Sequence, residues 1–553
     1  MLQLVDHRTI TNIFNICFMY SMTGGLIQLV ARSNQDLFLI HEPQITFFKV
    51  VYRRHTNFSL EPIQQNFITR PNFGKRVTCV LSRNGDLIRR IYVAIELPTI
   101  PKFVDAQQNP DPIAKFAWVR RVGYAIIKTV EIEIGGELID RQYGDWLNIW
   151  QELTLPDRKQ IRRLLGDVKE LVQYTNGKQS YQLVVPLQFW FNRITGLALP
   201  IVSLQYNHIK LNLELNTLQN CSVVTPSNAL ALSDDFVNFI PNEYITQTIE
   251  GVTSIGQFIY FDILNRTMYL QQLSTQQFQS LNVTDVTAIQ TQQQQDSILY
   301  ATNSDGTLVN SQYLITGVTS GYKAMPQINA VERIYVNTSI NFNNISLNNC
   351  YLIVEYGFLD DDERIRFSKA RHEYLIEQIF FNGQNTIDGL FQTFKLGFSQ
   401  PCKELIWVTQ LASATTSNVN DTFNYTDSLI RDPTDELTGS NIILNETLLF
   451  NGFERLTYRN SQYFSWLQPY QYHRRAPSPG INVYSFALHP EKHQPSGTVN
   501  MNRVDNVDLR VNVNANITFA NTVYLRAYGV FNNILRIVNG ISGLIYSIDN
   551  SMF

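Results

Sequence analysis

The chain has 553 residues, 44% of them hydrophobic and 16% charged, with a formal net charge of −3. At roughly 150 residues per domain that length can bury more than one core, and the hydrophobic share excludes a disordered chain. Dispersed arginine pairs such as Arg53-Arg54, Arg120-Arg121 and Arg474-Arg475 form no basic stripe, which argues against direct nucleic-acid binding.

Residues 1–21 include the apolar string TITNIFNICFMY, which Asn12 and Asn15 interrupt and which is too short to cross a bilayer, so no transmembrane helix is expected. QITFFKVVY at 44–52, bounded by Pro43 and a polar stretch, reads as a buried strand. VEIEIGGELIDRQYGDW at 130–146 carries a strand to a glycine turn. Ile161, Leu164, Leu165, Val168, Leu171 and Val172 recur at helical spacing, which predicts one amphipathic helix over 156–174. After the apolar VVPLQFWF at 184–191, Ile209, Leu211, Leu213 and Leu215 alternate with polar residues in HIKLNLEL, a strand with one buried face. YLIVEYGF at 351–358 is a further strand, and the charged DDDERIRFSKAR at 360–371 reads as a linker.

The same landmarks then return in the same order. ETLLFNGFERLTYRNSQYF at 446–464 repeats the glycine turn, VYSFALHP at 483–490 the apolar stretch, NVDLRVNV at 506–513 the alternating strand, and YLRAYGVF at 524–531 the closing strand. Four landmarks in one order, twice, indicate two copies of one β unit. The offset between copies is 298 at the alternating strands and 173 at the closing strands, so the first copy carries about 125 extra residues between Leu215 and Tyr351. That segment is compositionally distinct: ten Gln fall within 271–296. Arg266 is the only Lys or Arg in 211–322 against nine acidic residues, a net charge of −8 that leaves +5 for the rest of the chain. Its apolar runs, IGQFIYFDIL and SQYLITGV, predict a folded insertion that leaves the sandwich at a loop end and points to the solvent side.

Few residues invite a chemical role. The five cysteines (Cys17, Cys79, Cys221, Cys350, Cys402) are odd in number and form no Cys-x-x-Cys pair, so buried free thiols are expected. Ten Asn-x-Ser/Thr sequons lie between Asn57 and Asn516, a number that an Asn- and Thr-rich chain reaches by chance. His489 and His493 are four apart in HPEKH, but Pro490 stands where a zinc-protease helix needs its Glu, so an inter-strand turn is the better reading. Asp360, Asp361, Asp362 and Glu363 lack the alternation of a calcium loop and are followed by Arg364 and Arg366, which favours a solvated linker or helix start. Trp146, Trp150, Trp190, Trp407 and Trp466 could be sugar platforms, but most sit in apolar runs and read as core. No P-loop, dinucleotide fingerprint or nucleophile elbow follows a strand, so no catalytic, cofactor-binding or metal residue is assigned and no enzyme is expected.

GGLIQLVA at 24–31, PQITFFKVVYRRHTNFS at 43–59, IEIGGELIDRQYGDWLNIW at 132–150, FLDDDERIRF at 358–367, HEYLIEQ at 372–378 and SFALHPEKHQPSGTVNMNRVDN at 485–506 closely resemble the major capsid proteins of nucleocytoplasmic large DNA viruses. The resemblance spans nearly the whole chain and implies an all-β fold of two consecutive eight-stranded jelly rolls with a few short helices. It also implies a homotrimer, a pseudo-hexagonal capsomer tiling an icosahedral shell with neighbouring capsomers and minor capsid and penton proteins. The shell would be assembled in the host cytoplasm over an internal viral membrane. The expected division is an N-terminal arm at 1–24, a first jelly roll at 25–366 with the insertion at about 217–349, and a second jelly roll at 367–553. Members of the family begin near a Met-x-Gly-Gly that is here Met22 to Gly25, so 1–21 is expected to be an upstream extension. A transient viral scaffold of the same fold and a jelly-roll carbohydrate-binding protein are the alternatives.

Overall fold

The computed structural model describes residues 24–31, 36–104, 108–155, 161–283, 292–302, 308–336, 344–430, 439–514 and 522–546. The apolar string within 1–21 and Cys17 lie outside them. Two compact units are distinguished, Met1–Asn57 and Phe58–Phe553.

In the shorter unit, the helix Gly24–Val30 and the single turn Leu37–Ile40 are followed by irregular chain. The buried strand expected at 44–52 does not form: Phe48 is 99% exposed, and a turn at Phe47 and Phe48, with the Phe48 N–H donating to Thr46 Oγ1 at 3.3 Å, breaks the run. A strand needs a neighbouring ladder for its backbone groups, and no described residue pairs with this segment. No described residue of 25–57, expected inside the first jelly roll, forms a strand of its sheets.

In the larger unit, β1 (Phe58–Gln65), β2 (Arg76–Val80), β3 (Leu87–Leu97), β4 (Ile127–Ile134), β5 (Glu137–Tyr143), β6 (Tyr181–Pro186), β7 (Ile209–Leu215) and β8 (Asn349–Leu359) build two antiparallel sheets with strand paths β1-β8-β3-β6 and β2-β7-β4-β5. A second set follows: β9 (His372–Ile387), β10 (Phe391–Lys395), β11 (Pro401–Leu411), β12 (Ile443–Phe450), β13 (Phe453–Glu454), β14 (Ile481–Ser485), β15 (Val507–Val513) and β16 (Val523–Val538). Its paths are β9-β16-β11-β14 and β10-β15-β12-β13, each strand number being eight greater than its counterpart. Short strands flank some of these paths. Two eight-stranded jelly rolls of identical strand order are the architecture.

The repeated landmarks occupy equivalent places. Gly135 and Gly136 (φ 64° and 89°) link β4 to β5, and Asn451 and Gly452 (φ 51° and 82°) link β12 to β13. Positive φ at both central positions of a two-residue loop matches the twist of the flanking strands, which is why Gly-Gly and Asn-Gly stand there. Leu211 and Leu213 on β7 face the first core, and Leu509 and Val511 on β15 face the second.

The insertion between β7 and β8 has a sheet and a core of its own. Seven strands run in the order Lys323–Ala324, Ile315–Gly317, Tyr244–Ile249, Val252–Asp262, Thr267–Gln272, Asn228–Ala231, Arg333–Ile334. Leu230, Phe258, Met268, Leu270, Phe278 and Ile315 fill its interior.

One helix expectation is corrected. The region 161–172 holds two four-residue helices, Arg162–Leu165 and Lys169–Val172, because Gly166 takes a left-handed conformation (φ 77°) and ends the first. Conversely, a longer helix, Gly144–Thr154, follows β5 directly. The charged stretch after β8 is the helix Asp361–Lys369, capped by the Asp360 carboxylate, which accepts the Asp361 N–H at 3.0 Å. Asp86 anchors it, accepting the Leu359 N–H at 2.9 Å and pairing with Arg364 Nε at 2.9 Å.

Candidate functional site, the seam between the jelly rolls

In the helix Gly144–Thr154, Trp146, Ile149, Trp150 and Leu153 fall at i, i+3, i+4 and i+7, so they share one face. That face is buried against the outer side of the β9-β16-β11-β14 sheet, where Ile379, Ile406, Val408, Ile481, Val483 and Val530 receive it. The inner side of the same sheet packs Leu405, Trp407 and Leu525 into the second core. Covered on both sides, β11 is buried along almost its whole length, which explains why LIWV at 405–408 is an unbroken apolar run. Tyr143 at the end of β5 adds a ring contact to Phe381 at 5.1 Å.

Polar groups fix the register. Asp140 on β5 accepts the Ile379 N–H of β9 at 3.0 Å, Gln378 donates to the Ile139 carbonyl, and Asn533 donates to Gln378 at 2.9 Å. Burial pushes the Asp140 carboxyl up to about 7, the bonds from Ile379 and Gln142 opposing it only in part. Asp145 accepts the Tyr528 hydroxyl at 2.8 Å and that of Tyr425, and pairs with Arg526 at 3.3 Å. Glu152 bridges Arg121 (2.5 Å) to the Ser478 N–H (3.0 Å) and hydroxyl (2.6 Å). Burial raises its pKa, but the Arg121 charge and the Ser478 bonds outweigh that and hold the carboxyl at about 2. Glu377 on β9 takes Arg193 at 2.7 Å and also Lys403, while the Arg193 guanidinium stacks 4.9 Å from the Trp150 ring. The arrangement holds charges still and keeps water out of an apolar joint; its chemistry is adhesion between two rolls.

The residues weighed from sequence scatter. Trp146 and Trp150 are in the seam, Trp190 is in the first core and Trp407 in the second, and Trp466 is 52% exposed. Within HPEKH, Glu491 turns to His473 (3.3 Å) and Arg474 (2.9 Å), His489 is exposed, and His493 lines a cavity of about 470 Å³ bordered by Trp150, Arg193 and Glu377. Cys79, Cys221, Cys350 and Cys402 are buried free thiols. Sequence reasoning missed the seam itself, although IDRQYGDWLNIWQEL displays the 3.6-residue apolar period that marks it.

Comparison with known families matches residues 46–262 to a major capsid protein N-terminus and residues 363–543 to a large eukaryotic DNA virus major capsid protein. The chain belongs to the major capsid protein family of large DNA viruses. Among relatives of this family, a probable capsid protein 4 of Acanthamoeba polyphaga mimivirus is 39% identical over 95% of this chain and 99% of its own. The major capsid protein of Phaeocystis pouchetii virus is 32% identical over 95% of this chain and all of its own. Among solved structures, the Faustovirus major capsid protein superposes with a TM-score of 0.60 at 12% identity, covering 92% of this chain and 94% of its own. The quasi-atomic model of the PBCV-1 virus capsid gives 0.56 at 24%, covering 91% and 100%. These likenesses carry the fold, and the family membership carries the role: a structural capsid protein of the virion, built to assemble with other capsid proteins.

Proposed function

We propose that three copies of this chain form a pseudo-hexagonal capsomer, and that such capsomers tile the icosahedral shell. The observation that carries this is the repetition of one jelly roll, strand for strand, in a single chain. Three such chains around a threefold axis present six similar bodies, a shape that packs hexagonally. Within each copy, residues 58–366 are the first jelly roll, 367–553 the second, and the sheet within 217–349 is an outward-facing tower whose negative charge favours solvent over anionic lipid. The opposite end of the capsomer faces the internal membrane, and its rims meet neighbouring capsomers, minor capsid proteins and penton proteins. The protein acts through surfaces and not through catalysis, and its assembly takes place in the host cytoplasm. Native mass spectrometry of the purified chain tests the reading: a species of three 63.7 kDa chains is expected, and a monomer at micromolar concentration overturns it.

A further inference from the structure

Beside the seam, the cavity of about 470 Å³ that His493 borders draws its walls from both halves of the chain. The seam helix supplies Trp150 and Gln151, and the turn Trp190–Arg193 between β6 and β7 supplies Trp190, Asn192 and Arg193. Glu377 on β9, Arg474 and Glu491 come from the second half. The volume falls within the roughly 300–1,000 Å³ of ordinary small-molecule sites.

Two features of these walls have no explanation in the fold. The first is unmet hydrogen-bonding capacity. Asn192 is only 9% exposed, yet neither its Oδ1 nor its Nδ2 has a hydrogen-bond partner among the described residues. The same holds for Gln151 Oε1, Arg193 Nε and the Tyr124 hydroxyl, all on residues of this wall. Buried polar groups are nearly always satisfied, because leaving one unmet costs its full desolvation. The second feature is charge. Glu377 is shared between Arg193 and Lys403, and Glu491 between His473 and Arg474, so each carboxylate of the wall already has two basic partners. Arg90, also on the wall, is exposed and has no ion pair among the described residues. The remaining wall is apolar, with Trp150 and Trp190 buried and Leu164 half-exposed.

We propose that this cavity binds a small carboxylate that carries an apolar body and an N–H or O–H donor, the chemistry of an N-acyl amino acid. The surplus of basic groups selects an anion: the carboxylate accepts from Asn192 Nδ2 and Arg193 Nε and is neutralised by Arg90. The ligand's own donor meets Asn192 Oδ1 or Gln151 Oε1, and its apolar body lies along Trp150, Trp190 and Leu164. Since the walls come from both halves, the ligand binds only where the halves are joined and stabilises that joint by mass action. The site is complete within one chain and does not depend on the trimer.

The full chain, titrated with N-acetyl-L-phenylalanine in an isothermal calorimeter, tests this. One saturable site per chain is expected, and the neutral N-acetyl-L-phenylalaninamide should bind roughly tenfold more weakly for want of the charge. Absence of saturable binding, or equal binding of the two compounds, overturns the proposal. Arg90→Gln, at an exposed residue, should weaken binding several-fold and leave the melting temperature unchanged; binding equal to wild type refutes the anion site. Asn192→Leu, close in volume, should abolish binding and leave the chain at least as stable as wild type, since the fold makes no bond to the carboxamide it removes. A lowered melting temperature in this variant would show that the fold itself uses the carboxamide, which overturns its assignment to a ligand.

Discussion

Asp145, one residue into the seam helix of the first jelly roll, accepts the hydroxyl of Tyr528 on β16 of the second at 2.8 Å, and Arg526 approaches the same carboxylate at 3.3 Å. One carboxylate thus satisfies a buried phenol and a buried guanidinium across the joint. Asp145→Ala leaves both without it, and removing one partner of a buried pair costs about 3–5 kcal/mol. Urea denaturation should show a midpoint lowered accordingly; a loss below about 1 kcal/mol contradicts the role assigned to the seam.

Asp140 predicts a pH dependence of definite sign. Its carboxyl titrates at about 7 when folded but near 3.9 in an unfolded chain, so between those values the folded state holds a proton that the unfolded state lacks. Stability contributed by the group therefore declines as pH rises from about 4 to about 7, by a few kcal/mol in order of magnitude. Asp140→Asn retains a carbonyl oxygen for the Ile379 N–H and cannot ionise. Thermal melts should find this variant close to wild type at pH 4 and more stable than wild type at pH 8. Equal differences at both pH values would show that Asp140 is not protonated in the fold.

Leu211 and Leu509 occupy matching positions on β7 and β15, both buried in a core. Each Leu→Ala substitution is expected to lower unfolding free energy by about 2–5 kcal/mol through lost burial and a residual cavity. Unequal effects, with one site below about 0.5 kcal/mol, would mean that the two cores do not bear on stability alike.

The chain enters and leaves the insertion sheet side by side, where Asn228 pairs with Ile334 and Ala229 with Arg333. Replacing 228–334 by a short Gly-Ser linker should therefore leave both jelly rolls folded and the oligomeric state unchanged. Size-exclusion chromatography with light scattering checks this, and insoluble protein or a monomer counts against it.

Much of the fold could be read from local patterns. The alternation in HIKLNLEL and NVDLRVNV and the turns at Gly136 and Gly452 each report a conformation set within a few residues, so the duplication and the insertion were visible. What escaped depended on partners distant in the chain. QITFFKVVY has the composition of a strand but no described ladder to join, and Gly166 ended a helix that apolar spacing alone would have continued. The seam helix was hidden because it begins as soon as β5 ends, and its apolar face acquires meaning only beside Ile406 and Val483, more than 250 positions further on. Ionic contacts such as Arg121 with Glu152, or Asp145 with Arg526, carry no sequence signal before the fold juxtaposes them.

The doubly covered β9-β16-β11-β14 sheet bears on how the chain comes into being. On the ribosome the amino-terminal half is completed first, and until β16 emerges the face bearing Trp146, Ile149 and Trp150 has no cover. Nor can the carboxy-terminal half be cut free as an independent module, since its sheet would lose the cover over Ile406, Val408 and Val483. Two copies of one β unit thereby make a polypeptide whose halves are not separable, and β16, among the last strands synthesised, completes the surface on which the first half rests.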